Sequence, residues 1–376
     1  MTFAAIFVPQ PLREAVSDEA WLAALLAAER ALARAQAQVG LIPQLPDDVF
    51  TADGLDAEEL ARDGRAAGNP VEPLVRRLRE RSEHVHHGAT SQDILDTAAA
   101  LVARDATALI AEELDGVAQE CARLAEEHRA TVMAARTLLQ QAVPTTFGLK
   151  AASWLVGVVH ARSRLPRLPA QLGGAAGTLA ALGDSGIEVL RAYAEALDLP
   201  EPVLPWHTRR LPLAELGAAL AVAAGFAAKI GLDLALLAQT EVAEIRLPEN
   251  GRSSTMPHKR NPVGPVLTRA CAEHVRAAAG VLLNLEHEHE RAAGAWHAEW
   301  KALSDALAYT GGAAAALRAT LEGLEVDAER MGANLSAETL SEAKRFAPEA
   351  RKPEDYLPSA DALIDRALDF HRDSSR

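Results

Sequence analysis

Cysteine is almost missing from this chain: only Cys121 and Cys271 occur in 376 residues. Two thiols so far apart exclude a disulfide framework and read as small apolar core residues of a reducing compartment. Aromatics are also scarce, with seven Phe and three Tyr, which argues against a β-sandwich. Positive charge is in deficit, since 38 Lys and Arg face 52 Asp and Glu for a net charge of -14. Such a surface disfavours nucleic acid as a partner. An anionic ligand would need a local island of Lys, Arg, His and backbone N–H groups. No run of eighteen uncharged apolar residues suggests a membrane span. The opening Met1–Val8 carries no basic stretch and meets Pro9 too early for a signal peptide. A cytoplasmic protein is expected.

What the chain does hold is apolar residue, 49% of the total, dominated by Ala and Leu, which lose little rotamer freedom in helices. Its length allows a large core and two or three domains. Ser17 suits a helix N-cap, with Asp18 and Glu19 at the positive end of the dipole. Leu22, Leu25, Leu32 and Val39 follow at helical spacing, and Gly40 with Pro43 ends the run. Residues 44–90 read as short helices and loops. Ile110, Leu114, Val117, Cys121 and Leu124 step by four, three, four and three, which predicts a long helix over about 97–129 packed nearly parallel to others. Further helices are expected at about 146–165, 212–246 and 264–310, with Gly- and Pro-rich loops at 171–187 and 198–212. A rod of thirty residues spans about 45 Å and is expected to bury its flanks against other subunits. No strand-like alternation of any length is visible. From about Glu325 the chain is broken by Pro348, Pro353 and Pro358, and a last amphipathic helix is expected at 359–371. The division expected is 1–96, a helical N-terminal domain; 97–325, a central long-helix bundle; and 326–376, a short helical C-terminal domain.

Three segments carry residues suited to chemistry on a carboxylate. Gly251-Arg252-Ser253-Ser254-Thr255-Met256-Pro257-His258-Lys259-Arg260-Asn261-Pro262 puts two hydroxyls, a cation and a carboxamide beside a helix starting near Val263. A serine becomes a useful acid or base when a cation and helix N-terminal N–H groups stabilise its alkoxide. The second segment runs from Val85 through His86, His87, Thr90, Ser91 and Asp93 to Asp96 and Thr97. Thr90 and Ser91 can bond a carboxylate, and Asp93 or Asp96 can cap the next helix. The third, Ala135 to Gly148, contains Arg136, Gln140 and Gln141. Arg136 can grip a carboxylate through two parallel bonds or form an ordinary ion pair.

The first segment closely resembles the SS-x-MP-x-K-x-N loop of the fumarase/aspartase superfamily. The second resembles its H-x-G-x-T-S-x-D stretch with His86 in the histidine position, and the third its G-R-T-H-x-Q…P-x-T-x-G region. The likeness runs from roughly residue 10 to 330. It implies an all-α, fumarase/aspartase-like fold with a long-helix bundle core and smaller helical end domains. It also implies a homotetramer in which the three segments, from three subunits, meet at each active site, and catalysis with no cofactor and no metal.

The chain departs from the lyases of that superfamily at two places. Leu138 stands where most carry a histidine, and counting onward from Lys259 puts Val266 at the place of its glutamate partner. Without that pair, a leaving group that needs no acid is expected. The third segment resembles the bacterial cycloisomerase branch, as do Gln171–Leu179, Pro205-Trp206-His207-Thr208 and His289–Trp300. The resemblance implies that one carboxylate of 3-carboxy-cis,cis-muconate adds across a double bond to give 4-carboxymuconolactone. Ser253 is then the expected proton donor, with Ser254 the alternative. Lys259 and Asn261 would stabilise the aci-carboxylate. His86, Thr90, Ser91, Arg136, Gln140, His207 and Arg209 would grip the tricarboxylate, and Trp206 would wall the pocket or pack against helices. Alternatives are a muconate analogue as substrate, a fumarate-releasing lyase of the adenylosuccinate or argininosuccinate type, and a non-catalytic scaffold. His287-Glu288-His289 with His297 does not make a metal site, because residues two apart on a helix face different ways. Gly173-Gly174-Ala175-Ala176-Gly177 lacks the strand that a dinucleotide loop requires.

Overall fold

A computed structural model describes residues 3–248, 256 and 259–374. The described residues form fourteen α-helices and two small antiparallel strand pairs. In chain order they are α1 (Ala4–Phe7), α2 (Gln10–Ala15), α3 (Asp18–Gln38), α4 (Ala57–Asp63), α5 (Val71–Arg79), α6 (Ser91–Glu127), β1 (Val132–Thr137), β2 (Gln140–Thr146), α7 (Phe147–Arg162), α8 (Gly186–Ala196), α9 (Leu211–Leu237), β3 (Ile245–Arg246), α10 (Val263–Leu282), α11 (Ala295–Glu322), β4 (Glu325–Val326), α12 (Ala328–Ala333), α13 (Ala343–Phe346) and α14 (Ala360–Ser374). The fold is all-α, as its pattern of Ala and Leu predicts.

Local chemistry explains several helix ends. The Ala20 amide donates to Ser17 Oγ at 3.2 Å, so Ser17 is the α3 N-cap, and Gly40 takes φ 77° just past its end. The expected helix at 212–246 stops at Leu237, and Ala243 then turns the chain at φ 52°. The expected helix at 264–310 is two helices. Asn284 Oδ1 accepts the Glu286 amide at 3.0 Å and Glu288 Oε2 accepts the Ala293 amide at 2.9 Å. These side-chain bonds compete with the helical ladder, and His289 at φ 44° completes the break.

The pair β1–β2 corrects the expectation of a chain without strands. It is a hairpin with a bulge between Ala134 and Arg136, so its side chains do not alternate cleanly and leave no period-two trace. Its tip is Leu138 and Leu139, both left-handed at φ 50° and 64°, where Asn-Gly is the usual choice. Both leucines are exposed, Leu138 by 96%.

By compactness the chain divides into two units. One comprises 1–109, 165–221 and 274–309, and the other 110–164, 222–273 and 310–376. In the first, the apolar face of α3 (Leu22, Leu25, Leu26, Leu32) packs on α8, with Val189, Leu190 and Tyr193 buried. In the second, Phe147 and Trp154 meet edge to face at 5.8 Å. Trp154 Nε1 there donates to Asp233 at 2.8 Å, and α14 lies on α7 with Arg129 2.6 Å from Asp365. Cys121 and Cys271 are buried and form no disulfide among the described residues. Among the described residues α9 is long and apolar enough to cross a membrane by composition alone, but it carries Glu215, Lys229 and Asp233.

Removing the α3 cap with Ser17→Ala is expected to cost about 1 kcal/mol, read as a lower urea midpoint with helix content unchanged.

Candidate active site

The site grows from the first turn of α6. Gln92, Asp93 and Asp96 there are fully buried, and a buried carboxylate must find donors or neutralise. Asp93 accepts four bonds. Thr90 N donates to Oδ2 at 2.9 Å, Gly173 N to Oδ1 at 2.8 Å and Gly174 N to Oδ2 at 2.9 Å, while His207 Nε2 lies 2.7 Å from Oδ1. Of the two aspartates expected to cap α6, Asp93 does so. Asp96 instead accepts both terminal nitrogens of Arg210, at 2.7 and 3.0 Å, and the Trp296 indole at 2.9 Å. Gln92 Nε2 donates to the His207 carbonyl at 2.8 Å, and Arg291 donates to Gln92 Oε1 at 3.0 Å. One helical turn thus ties down the segments 86–90, 171–175, 206–210 and 287–296.

Those segments carry much of the expected site. Thr90 and Ser91 sit half-exposed at the positive end of α6, where backbone N–H groups and the helix dipole favour an anion. His86 precedes them in a left-handed conformation, φ 62°. Gly88, also left-handed at φ 69°, leaves no room for a Cβ, which would stand 2.7 Å from Leu182. His86 Nδ1 is 2.6 Å from Glu29 Oε1 on α3. Burial opposes charge on this imidazole, but the Glu29 carboxylate, by charge and hydrogen bond, and Asp93 outweigh it and hold His86 above the ordinary histidine value. His207 is buried, and a Cβ on Gly173 would come within 2.9 Å of its ring. Arg209 is exposed and donates to the Leu204 carbonyl at 3.1 Å. Trp206 is fully buried, its indole N–H bonded to the Ala170 carbonyl at 3.0 Å. It underlies the loop by packing on Arg210, whose Cζ is 4.6 Å from its ring.

Arg210 is the hidden member of the group. It is 2% exposed and spans Asp96 and Glu299, meeting Glu299 at 2.6 and 3.1 Å. Burial lifts Glu299 above the usual carboxylate range, opposed by Arg210 and assisted by Asp96. His287 Nε2 lies 3.4 Å from Glu299 Oε1, and burial beside Arg210 depresses its pKa.

Arg136, Gln140, Lys259 and Asn261 lie in the second compact unit. Arg136 forms a two-pronged pair with buried Glu244, at 2.9 and 2.5 Å, and Asn334 Nδ2 donates to the same carboxylate at 2.9 Å. Its fork is therefore filled from within the chain. Gln140 is exposed at the start of β2, Lys259 is exposed, and Asn261 is half-buried before α10. Ser253 and Ser254 lie outside the described residues. Among those described, no cluster of three or more His, Cys, Asp or Glu is arranged to hold a metal. A cavity of 580 Å³ lined by Leu22, Leu26, Arg30, Phe50 and Leu55 contains none of the expected site residues. Its walls are mostly apolar, whereas the polar groups converge at α6.

Sequence reasoning missed Glu29, Gln36, Arg210, Glu244 and Glu299. A trace existed for two of them. Leu22, Glu29 and Gln36 are spaced by seven on α3, so the apolar stripe is interrupted twice by polar residues, and both are 1% exposed.

A family model described as Lyase matches residues 10–277. The nitrosuccinate lyase of Streptomyces davaonensis is 46% identical over 353 residues, covering 86% of this chain and 74% of that protein. The 3-carboxy-cis,cis-muconate cycloisomerase of Bradyrhizobium diazoefficiens is 43% identical over 89% of this chain and 80% of its own length. The crystal structure of the 3-carboxy-cis,cis-muconate lactonizing enzyme from Pseudomonas putida superposes with a TM-score of 0.91 at 35% identity, covering 100% of this chain and 99% of that one.

Arg210→Met would strand two buried carboxylates. A loss of about 3–5 kcal/mol is expected, measured by urea denaturation, with Glu299→Gln costing clearly less.

Proposed function

Because the chain belongs to the Lyase family of the fumarase/aspartase superfamily, we propose that it is a cofactor-independent cycloisomerase closing 3-carboxy-cis,cis-muconate to 4-carboxymuconolactone. The observation that carries this reading is the end-to-end likeness to a lactonizing enzyme, joined to a donor-rich α6 terminus on an otherwise acidic protein.

In the reaction one carboxylate oxygen of the substrate bonds to an alkene carbon. The displaced electron pair moves to the carbon beside a second carboxylate, giving an aci-carboxylate dianion. Ser253 gives its proton to that carbon, and the serine alkoxide regains one from solvent, so the trianion and one proton become the lactone dianion. Lys259 and Asn261 stabilise the charge as it develops. His86, Thr90, Ser91, His207 and Arg209 hold the substrate carboxylates. Arg136, filled by Glu244, acts by holding the 241–246 segment. Gln140 reaches a neighbouring copy's site from its hairpin.

That sharing requires a homotetramer, for which two features speak. Only 44% of the most apolar window of α9 is buried within the chain, leaving Val222 and Leu232 exposed. The Leu138–Leu139 tip is apolar, strained and uncovered. Two buried thiols suit the cytoplasm.

Elimination of nitrite from nitrosuccinate is a second reading, favoured by the 46% identity to a nitrosuccinate lyase. Ser253 as alkoxide would remove the proton beside one carboxylate, and the same dianion would expel nitrite to leave fumarate. Nitrite is a stable anion and needs no acid, so apolar Leu138 and Val266 suit both reactions. Loss of diene absorbance from 3-carboxymuconate without fumarate supports the first. Fumarate and nitrite from nitrosuccinate support the second, and fumarate from adenylosuccinate would overturn both.

Ser253→Ala is expected to lower turnover at least about 100-fold with the fold intact; wild-type turnover would remove Ser253 from its role. Light scattering is expected to give four chains per particle, and an active monomer would contradict a shared site.

A further inference from the structure

We infer that Glu29 is a positioning residue for the anion site: through its 2.6 Å contact with Nδ1 it orients the His86 ring and leaves Nε2 for the ligand. No sequence motif marks Glu29, and its place on α3 is part of the helix face that packs into the core. Yet its side chain is wholly enclosed, and its Oε1 is 2.6 Å from His86 Nδ1. Among the described residues its second oxygen has no hydrogen-bond partner. A carboxylate so enclosed is tolerated only if a cation stands against it. The cation at hand is His86.

The geometry around His86 is built for this pairing. Its backbone is left-handed, a conformation that persists in a non-glycine residue only where neighbours enforce it. Seven residues beyond Glu29, on the same face of α3, Gln36 Nε2 donates to the His87 carbonyl at 2.6 Å. Arg79 holds the Val85 carbonyl at 3.2 Å. The turn is thus gripped at 85, 86 and 87, and the ring is aimed by Glu29. The charged groups facing it are Glu29 from α3, Asp93 from α6 and Arg79 from α5, and the two acids together outweigh burial and the arginine. With Nδ1 committed, Nε2 is the nitrogen left for a ligand, and 12% of the side chain remains exposed.

The pH consequence has a definite sign. A histidine with a raised pKa stays charged to higher pH, and its contribution to anion binding fades as pH rises through that value. Removing the Glu29 charge lowers the value, so the fading begins at lower pH.

The test combines two readouts on Glu29→Gln, an isosteric change. The first is NMR titration of the His86 ring in the free protein, independent of any assumed substrate. The His86 pKa is expected to fall below that of wild type, and an unchanged titration overturns the inference. The second rests on the proposed cycloisomerase activity. KM for 3-carboxymuconate at neutral pH is expected to rise at least about tenfold, the scale of one charge-assisted hydrogen bond, with kcat changed less. The upper limb of the kcat/KM profile is expected to move to lower pH. Glu29→Asp, which keeps the charge but draws it back by one methylene, is expected to restore part of both effects. If Glu29→Gln does not fold, Glu29→Asp against wild type carries the same comparison, and no downward shift of His86 there overturns the inference. A shifted titration with no activity on any muconate retains the Glu29–His86 role and rejects the cycloisomerase reading instead.

Discussion

Two buried carboxylates on one turn of helix, Asp93 and Asp96, constrain the first compact unit. Neither can be left without donors at its depth, and the donors come from segments far away in the chain. Asp93 takes the amides of Gly173 and Gly174 and the ring of His207, and Asp96 takes Arg210 and Trp296. Satisfying the acids and assembling the site are the same event. A loop that drifts by an ångström loses its contact to a buried charge, a larger penalty than any surface contact could offset.

The outcome is a concentration of hydrogen-bond donors on an acidic protein. Aspartates face inward and are consumed by the scaffold. The outer side of the same turn leaves Thr90 and Ser91 half-exposed at a helix N-terminus. Two histidines flank it, each braced by a buried acid, His86 by Glu29 and His207 by Asp93. An anion arriving there meets donors already oriented, so little ordering remains to be done on binding. The chemistry of the superfamily places charge on a carbon beside a carboxylate, and a fixed set of donors is what that demands.

Much of this was legible in the sequence, and the failures have physical causes. The α3 cap at Ser17 and the heptad run of α6 depend on short-range spacing and could be read directly, whereas the His86–Asp93 stretch stood out by its resemblance to a family motif. The hairpin could not, because a bulge scrambles its alternation and Leu138-Leu139 is no turn signal. The break between α10 and α11 depends on side-chain bonds from Asn284 and Glu288 that no periodicity records. Arg210 belongs to none of the motifs read from the sequence, although it is the ion that joins Asp96 to Glu299. For Arg136 the sequence left a carboxylate grip and an ordinary ion pair both open, and the fold gives it Glu244.

The most direct measurement is an experimental structure with tricarballylate, a saturated tricarboxylate that cannot react. One carboxylate is expected at the α6 terminus, within hydrogen-bond distance of Thr90 or Ser91 and of His86 Nε2, with Asp93 still bound to His207. A ligand seated elsewhere, with those donors unoccupied, would contradict it.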